Sequence, residues 1–394
     1  MAGPPQFSTD RFAAKLGLFY AAYFFFGGVQ LPFFPLWLEA RGLDARTIGI
    51  VIAVPTLVRI VATPIIAHQA DRHRALKATL AIGSVVGLLG MTAVGLVDGP
   101  IAILVAFTVA MAALSPMLSL SDAYALAGLG VRGRTYGPVR LWGSVAFIAG
   151  NVGAGLVLEV IAPGHLIWLI VFTLMLVVVA AAALAPVDPG VRPAPAAATH
   201  SPKLLLRDPA FVAVALASGL IQGSHALFYG FSTLQWRAEG LDGTVIGLLW
   251  GLGVAAEVAL FALSARLPPW LSPTALIAVG AVGAIVRWGA MAFDPPVALL
   301  PVLQLLHAGS FAATHLGLMG FMARAVPREL AATAQGFVAT WSGLVNASAM
   351  FVSGFVYAAT GSLAYLVMAA MALVGLASAL YAGRRWNADL SDRP

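Results

Sequence analysis

The sequence predicts an all-α membrane protein of twelve transmembrane helices arranged as two pseudo-symmetric six-helix bundles. Three observations carry that expectation. First, 60% of the 394 residues are hydrophobic and only 10% are charged, with a mean hydropathy of +0.93, which excludes an ordinary soluble domain. Second, apolar runs of about 20 residues, long enough to cross a bilayer as a helix, recur along the whole chain. Third, GLDGTVIG at 240–247 repeats GLDARTIG at 42–49, 198 positions earlier, so the second half echoes the first.

Divided by glycine, proline or charge, the runs place spans at 12–38, 46–68, 75–97, 100–127, 138–161, 164–186, 207–236, 243–266, 272–293, 297–324, 330–358 and 362–383. The longest connection, VDPGVRPAPAAATHSPK, has the composition of a flexible linker. It separates an N-terminal bundle, 1–186, from a C-terminal bundle, 207–394, through a cytoplasmic linker at 187–206. Met1–Arg11 is polar and the first apolar run leads straight into further spans, so no cleavable signal is expected. The chain has no cysteine, which removes disulfides and thiolate metal sites. A pI near 9.9 reflects basic residues scattered among short loops, not a nucleic-acid patch. With the N-terminus inside, 17 of the 22 Lys and Arg face the cytoplasm and only Arg41, Arg46 and Arg237 face outward. Both termini are then cytoplasmic, and the expected location is a bacterial inner membrane.

The first span contains FFFGGVQLPFFPLWL. It reads either as a kinked helix packing its aromatics on lipid or as a hinge lining a central cavity, with Tyr20, Tyr23 and Gln30 inward. After the second span, HQADRHRALK places Asp71, Arg72 and Arg74 at a helix end. Asp71 is expected to cap or bridge neighbouring helix ends; a solvated charge run is the alternative.

A charge at mid-membrane costs at least about 2.5–3.5 kcal/mol on insertion scales, so such residues usually face an interior. In the first half these are Arg59, Asp122 and Arg140; in the second, His225, Glu257, Arg287, His307 and His315. Arg59 and Glu257 are also separated by 198 positions, one charge at the same depth of the same helix in each half. Asp122 and Arg140 are expected to pair, which reduces the desolvation cost of both; the alternative is a snorkelling pair at the rim. The three histidines do not have the spacing of a compact zinc motif, so no metal is expected. His307 and His315 lie eight residues apart, about 80° around a regular helix, so both can border one cavity.

A proton-coupled carrier needs a group that gains a proton on one side and loses it on the other. Glu257 suits that role: an apolar setting disfavours a carboxylate's charge and a nearby cation favours it, so movement of Arg287 relative to Glu257 switches the balance. His307 and His315 are candidates to relay the proton. Arg59, Arg140 and Arg287 against Asp122 and Glu257 leave the site net positive, which favours an anion, a carboxylate above all. His225, Tyr229 and Tyr23 are further candidate substrate contacts, and abundant tyrosine and tryptophan suits a flat or apolar substrate body.

PFFPLWL (32–38), DAYAL (122–126), VRLWGSVAF (139–147), GSHALFYGFS (223–232), GVAAEV (253–258), VRWGAM (286–291) and QLLHAGSFAATH (304–315) together closely resemble the phenylpropionic acid permease family. That family is a branch of the major facilitator superfamily related to the lactose permease type of sugar–proton symporters. The Asp71-Arg72-x-Arg74 core resembles the superfamily's loop signature, although His68 stands where a glycine is usual and the later glycine is missing. The resemblance implies the major facilitator fold and proton symport. It also implies that Asp122 and Arg140 correspond to an acid–arginine substrate pair, and Glu257 and Arg287 to a helix-eight acid and helix-nine arginine. The sugar permeases follow the helix-ten histidine with a carboxylate, which this chain lacks, so proton duty shifts to Glu257 or Asp122 and sugar becomes doubtful as a substrate.

The expected function is therefore proton-coupled import of a small organic anion, an aromatic carboxylate such as 3-phenylpropionate, by a monomer in the lipid bilayer, with the proton as its only cofactor. A sugar or nucleoside symporter and a drug exporter remain alternatives. A membrane-embedded enzyme is disfavoured because no clustered catalytic motif is present.

Overall fold

The structure, a computed structural model, describes residues 9–187, 201, 203–268 and 270–386, and the regular secondary structure among them is entirely helical. The elements are α1 (Thr9–Ala40), α2 (Ala45–Arg72), α3 (Leu76–Leu96), α4 (Pro100–Leu114), α5 (Met117–Gly130), α6 (Tyr136–Val157), α7 (Leu166–Ala183), α8 (Lys203–Arg207), α9 (Pro209–Gly223), α10 (Ala226–Ala238), α11 (Gly243–Leu263), α12 (Pro273–Met291), α13 (Leu300–His307), α14 (Thr314–Ala325), α15 (Ala331–Thr360) and α16 (Tyr365–Arg385). Among the described residues eleven apolar helical segments are long enough to span a membrane; the last, Arg328–Arg385, contains both α15 and α16, joined through a short 3-10 helix at Gly361–Ala364. Most of the linker, 188–200 and 202, lies outside the described residues.

The side chains sort as a bilayer demands. In α3, Leu80, Ser84, Gly87, Met91 and Val94 recur at helical spacing and are buried, while Ile82, Val85, Leu89 and Leu96 on the other side are exposed. In water that apolar face would be an aggregation liability; against lipid it is matched to its surroundings.

The sequence repeat is a helix start. Gly42 and Gly240 take left-handed φ values of +80° and +90°, which glycine adopts without strain. Asp44 and Asp242 then cap α2 and α11, accepting from the backbone N–H groups of Thr47 and Val245. The bonds to Thr47 hold the Asp44 carboxyl below the usual carboxylate range. Asp71 and Arg72 lie in the exposed last turn of α2, and Arg74 on the exposed turn that leads to α3. Arg74 is itself left-handed, at φ +50°, a conformation that costs a non-glycine residue about 1–2 kcal/mol. Arg74→Gly is expected to leave thermal stability unchanged or raise it slightly, whereas Arg74→Val should lower it; a melting series on the purified protein checks the order.

Several spans are not continuous helices. The fourth breaks between α4 and α5 at Ser115-Pro116, where proline has no N–H to continue the ladder. Carbonyls near the break find side chains: Tyr23 donates to Leu114 O at 3.4 Å and the Ser115 hydroxyl to Ala112 O at 3.0 Å. The tenth span carries a π-helical segment, Ala308–Ala313, between α13 and α14. Displaced by the 198-residue repeat, this segment falls on 110–115, so both halves are irregular at the same depth. The first span, by contrast, is one helix through Pro32 and Pro35. Gly28 and Gly150 let it approach α6 closely: a Cβ on Gly28 would meet the Phe147 carbonyl oxygen, and one on Gly150 would lie 2.6 Å from Phe25 O.

Within the first half α1 packs on α6 and α7, and α3 on α4 and α7; within the second, α16 packs on α9 and α12, and α12 on α14. The halves meet where α2 packs on α15 and α6 on α11. Glycines make these meetings close. A Cβ on Gly49 would lie 2.8 Å from Gly354 Cα, and one on Gly243 2.6 Å from Gly155 O. Both contacts lie at the end of the bundle that carries loops 41–44, 158–165 and 239–242. Glu159 adds a bond across the same seam, accepting from the Gly243 N–H at 2.7 Å.

Candidate functional site

Behind that seal are two cavities that share Leu31, Tyr229 and Phe311 as walls. The larger, about 570 Å³, has the size usual for small-molecule sites. It is bordered by both halves, and Gln30, Arg59, Gln222, Ser342 and Asn346 supply its polar surface. Arg59 is its one charged wall residue among the described residues, and its side chain remains accessible. The smaller, about 180 Å³, lies against α11, α12 and α13 and contains Glu257, Arg287, Gln304 and His307 among aromatic walls.

Arg287 has no exposed surface, so it needs replacement for its lost hydration. Its guanidinium lies 4.4 Å from the Phe228 ring centroid and 4.6 Å from that of Trp288, in cation–π range. Nη2 donates to Gln304 Oε1 at 2.6 Å, and Nη1 lies 3.0 Å from His307 Nδ1. A guanidinium only donates, so His307 Nδ1 accepts and the ring's proton sits on Nε2. That nitrogen faces Glu257 Oε2 at 3.5 Å. The three residues thus form a chain, arginine to histidine to carboxylate. While Arg287 occupies Nδ1, His307 cannot become doubly protonated, so the proton-accepting end of the chain is Glu257. The sequence sets Arg287 against Glu257 directly; the structure inserts His307 between them.

His225 lies behind this chain, with no exposed surface. Nδ1 lies 3.0 Å from Ile221 O, and must donate to that carbonyl, leaving Nε2 to accept from the Ser310 hydroxyl at 3.0 Å. Both nitrogens are used, and the ring supports His307 at 5.4 Å between centroids without bordering either cavity. The expected substrate contact is therefore not made in this state. His315 stays within electrostatic reach of Glu257 but departs from expectation at the cavity. The π-helical segment adds a residue to the turn between the two histidines, rotating the side chains beyond it by about 100° relative to a regular helix. His315 packs edge-on against Phe261 and, unlike His307, does not border the smaller cavity.

In the first half, Asp122 and Arg140 do not form the expected ion pair. Tyr20 and Tyr136 both donate to Asp122 Oδ1, at 2.6 and 2.7 Å, and so supply the stabilisation a cation was expected to give. Arg140 instead lies 3.9 Å over the Phe24 ring. Tyr23, expected at the substrate, is turned to Leu114 O, while Tyr229 borders both cavities. Gln304, missed in the sequence, sits three residues before His307, on the same helical face; that spacing was the available signal. Gln222 and Asn346 were likewise legible only as polar side chains in apolar runs. Among the described residues no group of three or more His, Asp or Glu side chains has the geometry to hold a metal ion.

A helical bundle with a polar, charge-bearing cavity between two related halves is the architecture of a small-molecule carrier. The chain belongs to the MFS_1 like family, whose model matches residues 13–367, and within the major facilitator superfamily it falls in the phenylpropionic acid permease family. It is 31% identical over 369 residues to a protein of Escherichia coli (strain K12) described as "Probable 3-phenylpropionic acid transporter", covering 91% of this chain and 94% of that one. It is 27% identical over 339 residues to "Maltose permease" of Geobacillus stearothermophilus, covering 84% and 82%. Its fold is similar to that of the nucleoside transporter NupG, with a TM-score of 0.82 at 15% identity over 95% of this chain and 99% of that one. The protein is a multi-span membrane transporter.

Proposed function

We propose that this transporter is a proton-coupled symporter that imports a small organic anion, an aromatic carboxylate such as 3-phenylpropionate, across a bacterial inner membrane by alternating access. The observation that carries the reading is the Arg287–His307–Glu257 chain, which leaves one titratable carboxyl at the wall of a cavity whose partner cavity presents Arg59. The name of the Escherichia coli relative supports the substrate class.

On this reading Arg328–Arg385 crosses twice: as a single helix its 58 residues would be roughly 87 Å long, against about 30 Å of hydrocarbon. Twelve crossings and the basic-residue distribution put both termini in the cytoplasm, with the linker at 187–206 between two six-helix bundles. The glycine-sealed end is then the outer one, and the state described is open inward. The carrier works as a monomer with no cofactor beyond the proton.

The coupling follows from charge. A proton on Glu257 makes the site more positive and favours the anion near Arg59; the bound anion in turn favours the proton, because coupling between two sites is reciprocal. At the higher internal pH Glu257 releases its proton, and the restored negative charge weakens anion binding. In proteoliposomes, early uptake of labelled 3-phenylpropionate above that of protein-free vesicles should rise on acidifying the outside and collapse with a protonophore. Carrier-dependent uptake that ignores both ends the symport reading. The amide-rich wall formed by Gln30, Gln222 and Asn346 also suits a hydroxylated neutral substrate, and stabilisation by a nucleoside or maltose but by no acid would favour that alternative.

A further inference from the structure

The smaller cavity has the size of one aromatic ring, but one of its sides is not apolar. Its volume of about 180 Å³ compares with about 150 Å³ for an apolar cavity that holds benzene. Phe147, Phe228, Tyr229, Trp250 and Phe311 form its walls. Trp250 is pinned by donation from Nε1 to Thr233 Oγ1 at 3.2 Å, and its ring lies 4.6 Å from that of Phe228 and 6.0 Å from that of Tyr229. A rigid aromatic slot results.

The remaining side carries Glu257, whose side chain is 20% exposed, and His307 is the one group that approaches it as a donor among the described residues. An unsubstituted phenyl ring placed here would strip water from the carboxylate and offer only C–H edges in return, which is unfavourable. A ring hydroxyl replaces that water with a charge-assisted hydrogen bond. It also serves both protonation states, because a neutral carboxyl still offers its carbonyl oxygen as an acceptor. Arg287 is the poorer partner for the substrate's carboxylate, since it has no exposed surface and its Nη1 and Nη2 already donate to His307 and Gln304, leaving only the buried Nε without a partner. Arg59 faces the adjoining cavity with no carboxylate beside it in the wall.

We propose that the substrate is a ring-hydroxylated aromatic acid: its ring fills the smaller cavity with a hydroxyl donating to Glu257, and its carboxylate passes the shared Leu31–Tyr229–Phe311 wall to reach Arg59. This rests on the anion-symport reading and adds a requirement that reading does not contain. A site built around a substrate hydroxyl discriminates sharply against the analogue that lacks it.

The test is a set of thermal-stabilisation titrations on the purified full chain with 3-phenylpropionate, its 3-hydroxyphenyl and 4-hydroxyphenyl analogues, the 4-methylphenyl isostere and neutral 3-phenylpropanamide. At least one hydroxy acid should bind about tenfold or more tightly than 3-phenylpropionate and the methyl isostere. In Glu257→Leu that preference should shrink to within about threefold, the remainder attributable to packing. In Arg59→Gln all acids should weaken alike and lose their advantage over the amide, with the hydroxyl preference kept. Binding of 3-phenylpropionate as tight as that of both hydroxy acids in the unmodified protein overturns the proposal, even if Glu257→Leu does not fold. An undiminished hydroxyl preference in a folded Glu257→Leu overturns it too. Failure of every acid to bind removes this proposal and the anion reading together, whereas proton-indifferent uptake with the hydroxyl preference intact removes the coupling alone.

Discussion

Glu257→Gln is expected to lose gradient-driven accumulation while continuing to exchange substrate across the membrane. One pH unit is worth about 1.4 kcal/mol per proton, so a carrier moving one proton with one monovalent anion can sustain about tenfold accumulation under a one-unit inward gradient. Glutamine keeps the length of the side chain and an acceptor oxygen for His307 Nε2–H, 3.5 Å away in the native chain, so the Arg287–His307 contact need not rearrange. What it removes is titration. The carrier-dependent ratio, measured early and against protein-free vesicles, should fall from about ten to about one, while counterflow of preloaded substrate persists. Native accumulation in the variant would reduce Glu257 to a structural role and move the proton to Asp122. That residue is the less suited of the two, because Tyr20 and Tyr136 already donate to the same oxygen and their bonds are strongest to a carboxylate.

The membrane architecture was legible because it rests on composition and length, which the bilayer constrains strongly. The apolar runs were found within a few residues of the helical segments, and the 42–49 and 240–247 repeat proved to be two equivalent capped helix starts. The charged residues were legible one by one for the same reason: each is anomalous in an apolar helix. Their partners were not. In the sequence Asp122 pairs most simply with Arg140 because opposite charges attract, but the competing solution uses two tyrosines, one 102 positions away in the chain, and no local pattern marks such a pairing. The geometry at His307 and His315 failed for a different reason. The sequence implies a regular pitch across Ala308–Ala313, where the helix is π-helical, and one extra residue per turn moves the later side chain to another face. Gly155 and Gly243 read as ordinary residues of apolar spans, since close approach between distant helices leaves no periodic trace.

Those two glycines support the second large effect. Gly155→Leu is expected to prevent the outer end from sealing, and Asn151→Leu to hold it shut. At Gly155 the nearest atoms are the backbone of Gly243 and Thr244 on the other half, which cannot move aside as a flexible side chain can. Overpacking of this kind costs about 1–3 kcal/mol, enough to shift a two-state equilibrium by about 5-fold to 150-fold. Gly153, two residues away on α6, has open space where a Cβ would lie, with nothing within 4 Å, so Gly153→Leu serves as the control. Asn151 lies in the same seam, with no exposed surface and no partner for either side-chain atom. Its amide raises the free energy of the sealed state by about 1–3 kcal/mol, and opening to water relieves it. The seal is thus weakened at one residue and tightened at its neighbours, which keeps the two states close enough in energy to interchange. Because the chain has no cysteine, a single Ser342→Cys in the larger cavity reports access by a membrane-impermeant maleimide added outside. Labelling should quicken about tenfold or more in Gly155→Leu, slow in Asn151→Leu and stay unchanged in Gly153→Leu, with steady-state transport reduced in the first two. Equal labelling rates in all three would mean that this seam does not gate the cavity.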